Sequence, residues 1–222
     1  MFQKAYYNRF QIFLFTLIAI LFGGLLFPNN LFDNLLSPII FLSNLAAGIL
    51  LISKRKKLMI FLIILLIIAS VDFGSEIMEL AKNDLLRFVK LSVYFLFYIV
   101  VTYEIIKQVW ISETVNIQII YGVISGYISL GLIAYFICMS IEMFYPGSFH
   151  GISASNENPE ILSDSIMYYS YITMLTIGYG DISPVTQIAQ KTSILIGLMG
   201  QFYLVIITAI IVGKYISQSA RK

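Results

Sequence analysis

Cysteine is almost missing from these 222 residues: Cys138 stands alone inside an apolar run, so no intramolecular disulfide can form and no thiolate cluster can hold a metal. Its surroundings make it a small core or lipid-facing residue. Histidine is equally scarce. His150, in a polar loop over residues 146–161, has no second ligand type beside it and reads as an exposed loop residue. Charge is thin as well, at 12% of the chain with a net +2, and no basic cluster is interleaved with aromatics in the way nucleic acid requires. No grouping of nucleophile, base and metal ligand marks an enzyme.

What fills the chain instead is apolar: 59% of residues are hydrophobic and the mean hydropathy is +0.88, the composition of a membrane protein. Residues 10–27 and 35–53 are long enough to span, since about 20 helical residues cross about 30 Å of hydrocarbon. The first run exceeds the apolar core of a cleaved signal peptide, about 7–15 residues, and no small-x-small site follows it. Lys54, Arg55, Lys56 and Lys57 close the second run and mark the cytoplasmic side, which puts the N terminus, with Lys4 and Arg9, inside too.

A third run begins near residue 58 and is solidly apolar only to Val71, so its span has to continue through Asp72, Phe73 and Gly74. Asp72, Glu76, Glu79, Lys82 and Asp84 then form an outer polar hairpin before a fourth run over 85–106. Arg87 and Lys90 lie three apart on one face of that run and can point at the hairpin carboxylates. Residues 107–116, with Trp110 as an amphipathic anchor, read as an interfacial linker helix between two halves. A fifth span follows over 117–145 with Glu142 near its outer end, and Gly122, Gly126 and Gly131 offer close helix contacts. The sixth, over 187–217, returns Lys214, Arg221 and Lys222 inside. On this topology ten of the 14 basic residues fall inside and ten of the 12 acidic ones outside.

Between the last two spans lies a short amphipathic stretch, 164–175, which Ser163 or Asp164 can cap. At 1.5 Å per residue it covers about 18 Å, half a bilayer, so it has to be re-entrant. Irregular backbone at membrane depth is tolerated only where it is buried in protein or faces water, which places a half-helix and the strand after it in a pore. That strand is Thr176, Ile177, Gly178, Tyr179, Gly180, Asp181. Glycines at alternate positions allow positive φ, so successive carbonyls can turn to one side, and with the Thr176 hydroxyl they can replace the water around a dehydrated cation. Glu157, Glu160, Asp164 and Asp181 fall near the outer mouth, where four copies of each would concentrate cations, with plain solvated loop acids as the equal alternative for Glu157 and Glu160.

The hexapeptide between two membrane-length runs resembles the signature of the six-transmembrane, tetrameric potassium channels. The likeness is close over residues 117–217 and only one of hydropathy over the first four spans. It implies an all-α membrane protein of six transmembrane helices, a re-entrant pore helix and a filter strand, arranged as a fourfold homotetramer in the cell membrane with both termini cytoplasmic. Residues 1–106 then form a voltage-sensor-like domain, 107–116 the linker and 117–222 the pore domain. Potassium ions would sit at Thr176, Ile177, Gly178 and Tyr179, with Gly180 completing the strand and no other cofactor. Asp181, Tyr168, Tyr169, Thr173 and Glu142 would support the filter, and Gly200 stands where an inner-helix hinge is expected, with close packing as the equal alternative.

Several positions depart from that family. Tyr168 and Tyr169 replace a tryptophan pair, Leu175 a second threonine and Ile172 a glutamate, and no Pro-x-Pro kink follows Gly200. After Arg87 and Lys90 the every-third cations stop, with Val93, Leu96 and Ile99 in their places, so voltage dependence is expected to be weak, with lipid or tension as other stimuli. One chain carries one filter segment, so a pore needs four. The chain stops soon after the sixth run, so no cytosolic ligand domain is expected. A voltage-gated potassium channel and a non-selective cation channel are the near alternatives; a transporter with a broken helix is remote, because such folds repeat their broken helices.

Overall fold

The computed structural model describes residues 2–27, 32, 36–77, 84–152 and 159–220, apart from the side chains of 2, 4, 72–77, 84–87 and 159–160. Glu79 and Glu157, and the side chains of Asp72, Glu76, Arg87 and Glu160, lie outside the described set. Nearly everything described is helix. The elements are α1 (Phe2–Tyr7), α2 (Arg9–Phe22) with a 3-10 turn over Gly23–Leu25, α3 (Ser37–Ile52), α4 (Lys56–Ile77), α5 (Asp84–Ile111), α6 (Ile117–Phe144), β1 (Phe149–His150), α7 (Pro159–Met174), β2 (Ser183–Pro184) and α8 (Gln187–Ser219). Among the described residues three stretches are long and apolar enough to cross a membrane: Phe88–Ile111, Ile117–Phe144 and Gln187–Ser219. Arg9–Leu25 and Ser37–Ile52 are shorter apolar helices.

The chain divides into two compact units, residues 1–126 and 127–222. In the first, Phe10, Phe13 and Leu17 of α2, Leu45 and Leu51 of α3, Leu62 of α4 and Phe97, Tyr98, Val101 and Ile105 of α5 are all buried. Gly48 lets α3 come up against the Phe97 ring and Val101. Several amides and hydroxyls are paired inside this core. Asn44 is fully buried, donates to Thr16 Oγ1 at 2.8 Å and accepts from the Tyr98 hydroxyl at 2.8 Å. Arg9 donates to Gln108 Oε1 at 3.1 Å, and Gln108 donates to the Leu51 carbonyl at 3.3 Å. Arg55, from the basic turn, reaches Glu104 at 2.8 Å, which gives that buried carboxylate its counter-charge.

The structure corrects two boundaries and refines a third. Helix α5 runs unbroken to Ile111, so 107–111 are its last residues and a separate linker helix over 107–116 does not form. Ser112 to Asn116 make the turn, and the Asn116 side chain caps α6 by accepting from the Ile119 amide at 3.1 Å. Helix α7 starts at Pro159, five residues before Asp164, because proline is already set for the first helical position. Ser163 therefore lies within the helix, where it bonds the Tyr135 hydroxyl at 2.8 Å in place of capping. The third run does continue as helix past Val71, to Ile77.

The second unit holds the remainder of α6, then β1, α7, β2 and α8. The two short strands pair antiparallel, Phe149 with Pro184 and His150 with Ser183. His150 is exposed, as its polar surroundings imply, but it sits on β1 because the pairing strand comes from beyond residues 176–181, out of reach of local sequence. Gly131 of α6 makes room for α7: the Tyr171 ring lies over the missing side chain and its hydroxyl donates to the Ile128 carbonyl at 2.7 Å.

Candidate functional site

Helix α7 ends in a six-residue hydrogen-bonded cap that leads into residues 176–181, the candidate filter segment. The Ile177 amide bonds the Ile172 carbonyl at 3.0 Å and the Thr176 amide bonds the Thr173 carbonyl at 3.0 Å, the paired pattern of a Schellman motif. That motif needs a left-handed residue at Thr176, whose φ is +58°. Glycine is usual there; a β-branched residue at positive φ stands against its own preference. Gly178 at +56° and Gly180 at +84° follow at alternate positions. Every second residue from 176 to 180 is thus left-handed, the alternation that turns a strand's carbonyls to one side and its amides to the other. No Cβ contact accounts for the two glycines. A side chain at Gly178 or Gly180 would meet nothing within 4 Å, so it is the backbone angle that calls for glycine.

Beyond the filter the chain is tied at several points. The Tyr168 phenol donates to the Asp181 carboxylate and holds that carboxyl below its usual range, with its own amide and that of Ile182 adding to the effect. Tyr169 is buried, its hydroxyl lies between those of Ser193 on α8 and Thr173, and its ring packs on Phe149 at 4.9 Å between centroids. These are the contacts of two phenols, one with the filter's outer end and one with the neighbouring helix. Glu142 completes the outer bracing. Its carboxylate accepts from the Gly147 amide at 2.6 Å and the Ser148 amide at 3.0 Å, and the Ser148 carbonyl in turn accepts from the Val185 amide at 2.9 Å. The turn after α6 is thereby bound to the strand after the filter. Gly151, at φ +90°, lies against the Asp181 carbonyl, where a Cβ would collide.

Where α7 gives way to the candidate filter segment, two adjacent residues of α8 meet it. Gly200 is buried, and a Cβ there would run into the Met174 carbonyl; the glycine therefore has a packing reason, and α8 passes through it as continuous helix. Gln201, next to it, donates from Nε2 to Thr176 Oγ1 at 3.2 Å, while Thr176 Oγ1 donates to the Leu175 carbonyl at 2.7 Å.

Sequence reasoning missed Gln201, Ser193, Gly151 and the left-handed Thr176. Each depends on a partner distant along the chain or on a helix cap whose usual residue is absent. Of the sensor-like charges, Lys90 is half-buried on α5, and Asp72, Glu76 and Arg87 fall outside the described side chains. Of the outer-mouth acids, Asp164 and Asp181 are exposed.

Residues 122–217 match a family model described as ion channel, a stretch that starts in α6, takes in α7 and the filter segment, and ends in α8. No curated protein and no solved structure matches the chain. With three helices apolar and long enough to cross a bilayer, this is a membrane protein whose residues 122–217 are similar to ion channels.

Proposed function

We propose that the chain is one subunit of a potassium-selective channel, four copies of which surround a pore lined by residues 176–180, with six membrane segments per copy, lipid around them and both termini cytoplasmic. The observation that carries this reading is the left-handed backbone at Thr176, Gly178 and Gly180, directly after a helix that ends at the filter base. Carbonyls of Thr176, Ile177, Gly178 and Tyr179 form the ladder of potassium sites, and the negative end of α7 favours a cation at its base. Exposure supports the fourfold assembly. Ile177 is 48% and Tyr179 71% exposed in one chain, apolar surface at proposed membrane depth that companion copies would cover in closing a ring around an ion.

Specificity in this reading comes from replacing the hydration shell with oxygens held in place. The outer bracing by Tyr168, Asp181 and Glu142 and the inner contacts of Gly200 and Gln201 do the holding. Leu175, which supplies no hydroxyl, favours a second reading, a non-selective cation channel.

One reconstituted preparation separates the two. Reversal potentials in opposed potassium and sodium gradients are expected to follow potassium in the wild type; a reversal near zero supports the non-selective pore. Gly178→Ala is expected to abolish the selectivity, since a left-handed L-residue costs about 1–2 kcal/mol per copy and no neighbour is displaced by the methyl group. Unchanged selectivity in that variant rejects residues 176–180 as the filter.

A further inference from the structure

We infer that Gln201 is a positioning residue for the innermost ion site, acting by fixing the hydroxyl of Thr176; the inference rests on the pore reading above. The argument starts from the hydrogen-bonding capacity of one oxygen. A threonine hydroxyl has one O–H and two lone pairs. Here the O–H is committed to the Leu175 carbonyl at 2.7 Å, and one lone pair accepts from Gln201 Nε2 at 3.2 Å. A single lone pair is left, and its direction is set by the other two bonds. Without Gln201 the hydroxyl keeps two free lone pairs.

The neighbourhood makes that oxygen matter more than usual. Met174, Leu175 and Ile177 carry no hydroxyl, so Thr176 is the only residue of 174–177 able to offer a side-chain oxygen to an ion at this end. The amide that orients it is itself well placed. Gly200, one residue earlier on α8, allows the helix backbone against the Met174 carbonyl, and this contact fixes the height at which Gln201 leaves the helix. Met174 and Thr176 are therefore gripped by consecutive residues of one helix. A shift of α8 at this level reaches that oxygen through the Gln201 side chain alone.

The test is a double-mutant cycle on the full-length, reconstituted channel: wild type, Gln201→Met, Thr176→Val, and both together. Methionine keeps the length and removes the donor; valine keeps the branched shape and removes the hydroxyl. Potassium-over-sodium and potassium-over-rubidium permeability ratios are read from bi-ionic reversal potentials. Gln201→Met is expected to lower the potassium-over-sodium ratio about fivefold, the size of effect that one net hydrogen bond gives. In the Thr176→Val background the same change is expected to do nothing further, because its target is gone. Gln201→Leu serves in the same cycle if Gln201→Met does not elute as an intact assembly. A wild type that does not select potassium rejects the pore reading itself. A selective wild type with an unchanged ratio in Gln201→Met overturns the positioning role alone, as does a fivefold loss that persists in the valine background.

Discussion

Residues 1–126 and residues 127–222 both bury hydroxyls and amides among apolar helices, and they put them to different uses. In the first unit the long-range polar bonds tie helices to one another or to a turn: Asn44 bridges Thr16 of α2 and Tyr98 of α5, Gln108 bridges Arg9 and Leu51, and Arg55 answers Glu104. The helices would keep their ladders without these bonds. In the second unit the bonds converge on backbone that has no ladder of its own. Residues 175–178 take their amide partners from the last turn of α7, and Asp181 and Val185 are held by Tyr168 and Ser148. Polar groups that fasten helices contribute stability; polar groups that hold an irregular strand open contribute geometry. Substitutions in the two units should therefore fail in different assays.

The largest expected effect is on the geometric side, at Gly200. Its Cβ would meet the Met174 carbonyl, a backbone atom that cannot swing aside as a side chain would, and overpacking of this kind typically costs about 1–3 kcal/mol. Gly200→Ala is expected to disturb conduction first, by pushing α8 away from the filter base. Gly197→Ala is the matched control, since a Cβ there meets nothing within 4 Å. Single-channel recordings of both variants check this. Equal behaviour would show that packing at Met174 is not what Gly200 provides.

The same two regions differ in how far sequence discloses them. The long apolar helices were legible, because apolar runs bounded by Pro28, the Lys54–Lys57 cations and Pro184 leave few other readings; the short α1 was not expected, and the linker helix expected over 107–116 did not form. The positive φ at Gly178 and Gly180 was legible too, since glycine is the residue that adopts it freely. Thr176 was not, because its left-handed angle is imposed by the carbonyls of Ile172 and Thr173 against its own preference. Nor was the continuity of α5 through Ile111: Lys107 and Gln108 look like a boundary until Gln108 is seen bonding Arg9 and Leu51 from within the helix. Local patterns disclose elements; contacts between residues 50 or 100 apart do not appear in them.

A smaller effect, and one in stability, is expected at Asn44. Asn44→Ala removes the acceptor of the Tyr98 hydroxyl and the donor to Thr16, which keeps its bond to the Phe13 carbonyl, and is expected to cost about 1–2 kcal/mol, the upper range for hydrogen bonds between membrane helices. Thermal unfolding of the detergent-solubilised protein measures it, with the potassium-over-sodium ratio unchanged. The double variant Asn44→Leu, Tyr98→Phe is expected to recover much of the loss, since removing both partners leaves fewer polar groups to satisfy. A selectivity change in Asn44→Ala would break the contrast between the units.

The smallest expected effect is on voltage dependence. Moving one charge through 100 mV is worth about 2.3 kcal/mol, and steep gating takes about 3–4 charges per subunit. On α5 the cations are Arg87 and Lys90 near one end and Lys107 near the other, and the positions Val93, Leu96 and Ile99 between them are uncharged. Val93 is buried in the unit's core while Leu96 and Ile99 are exposed, so this stretch presents apolar surface both inward and outward. The one acid on the helix interior, Glu104, is buried and paired with Arg55 of the turn before α4, and a charge fixed to a partner that would have to move with it contributes little to gating. Conductance is therefore expected to rise shallowly with voltage, with less than about one effective charge per subunit. The Arg87→Gln, Lys90→Gln double variant is expected to leave that slope nearly unchanged. Macroscopic conductance–voltage curves for the two proteins decide it: a steep wild-type curve that flattens in the double variant would mean that two outer charges suffice, and that the first unit moves in the field instead of standing still.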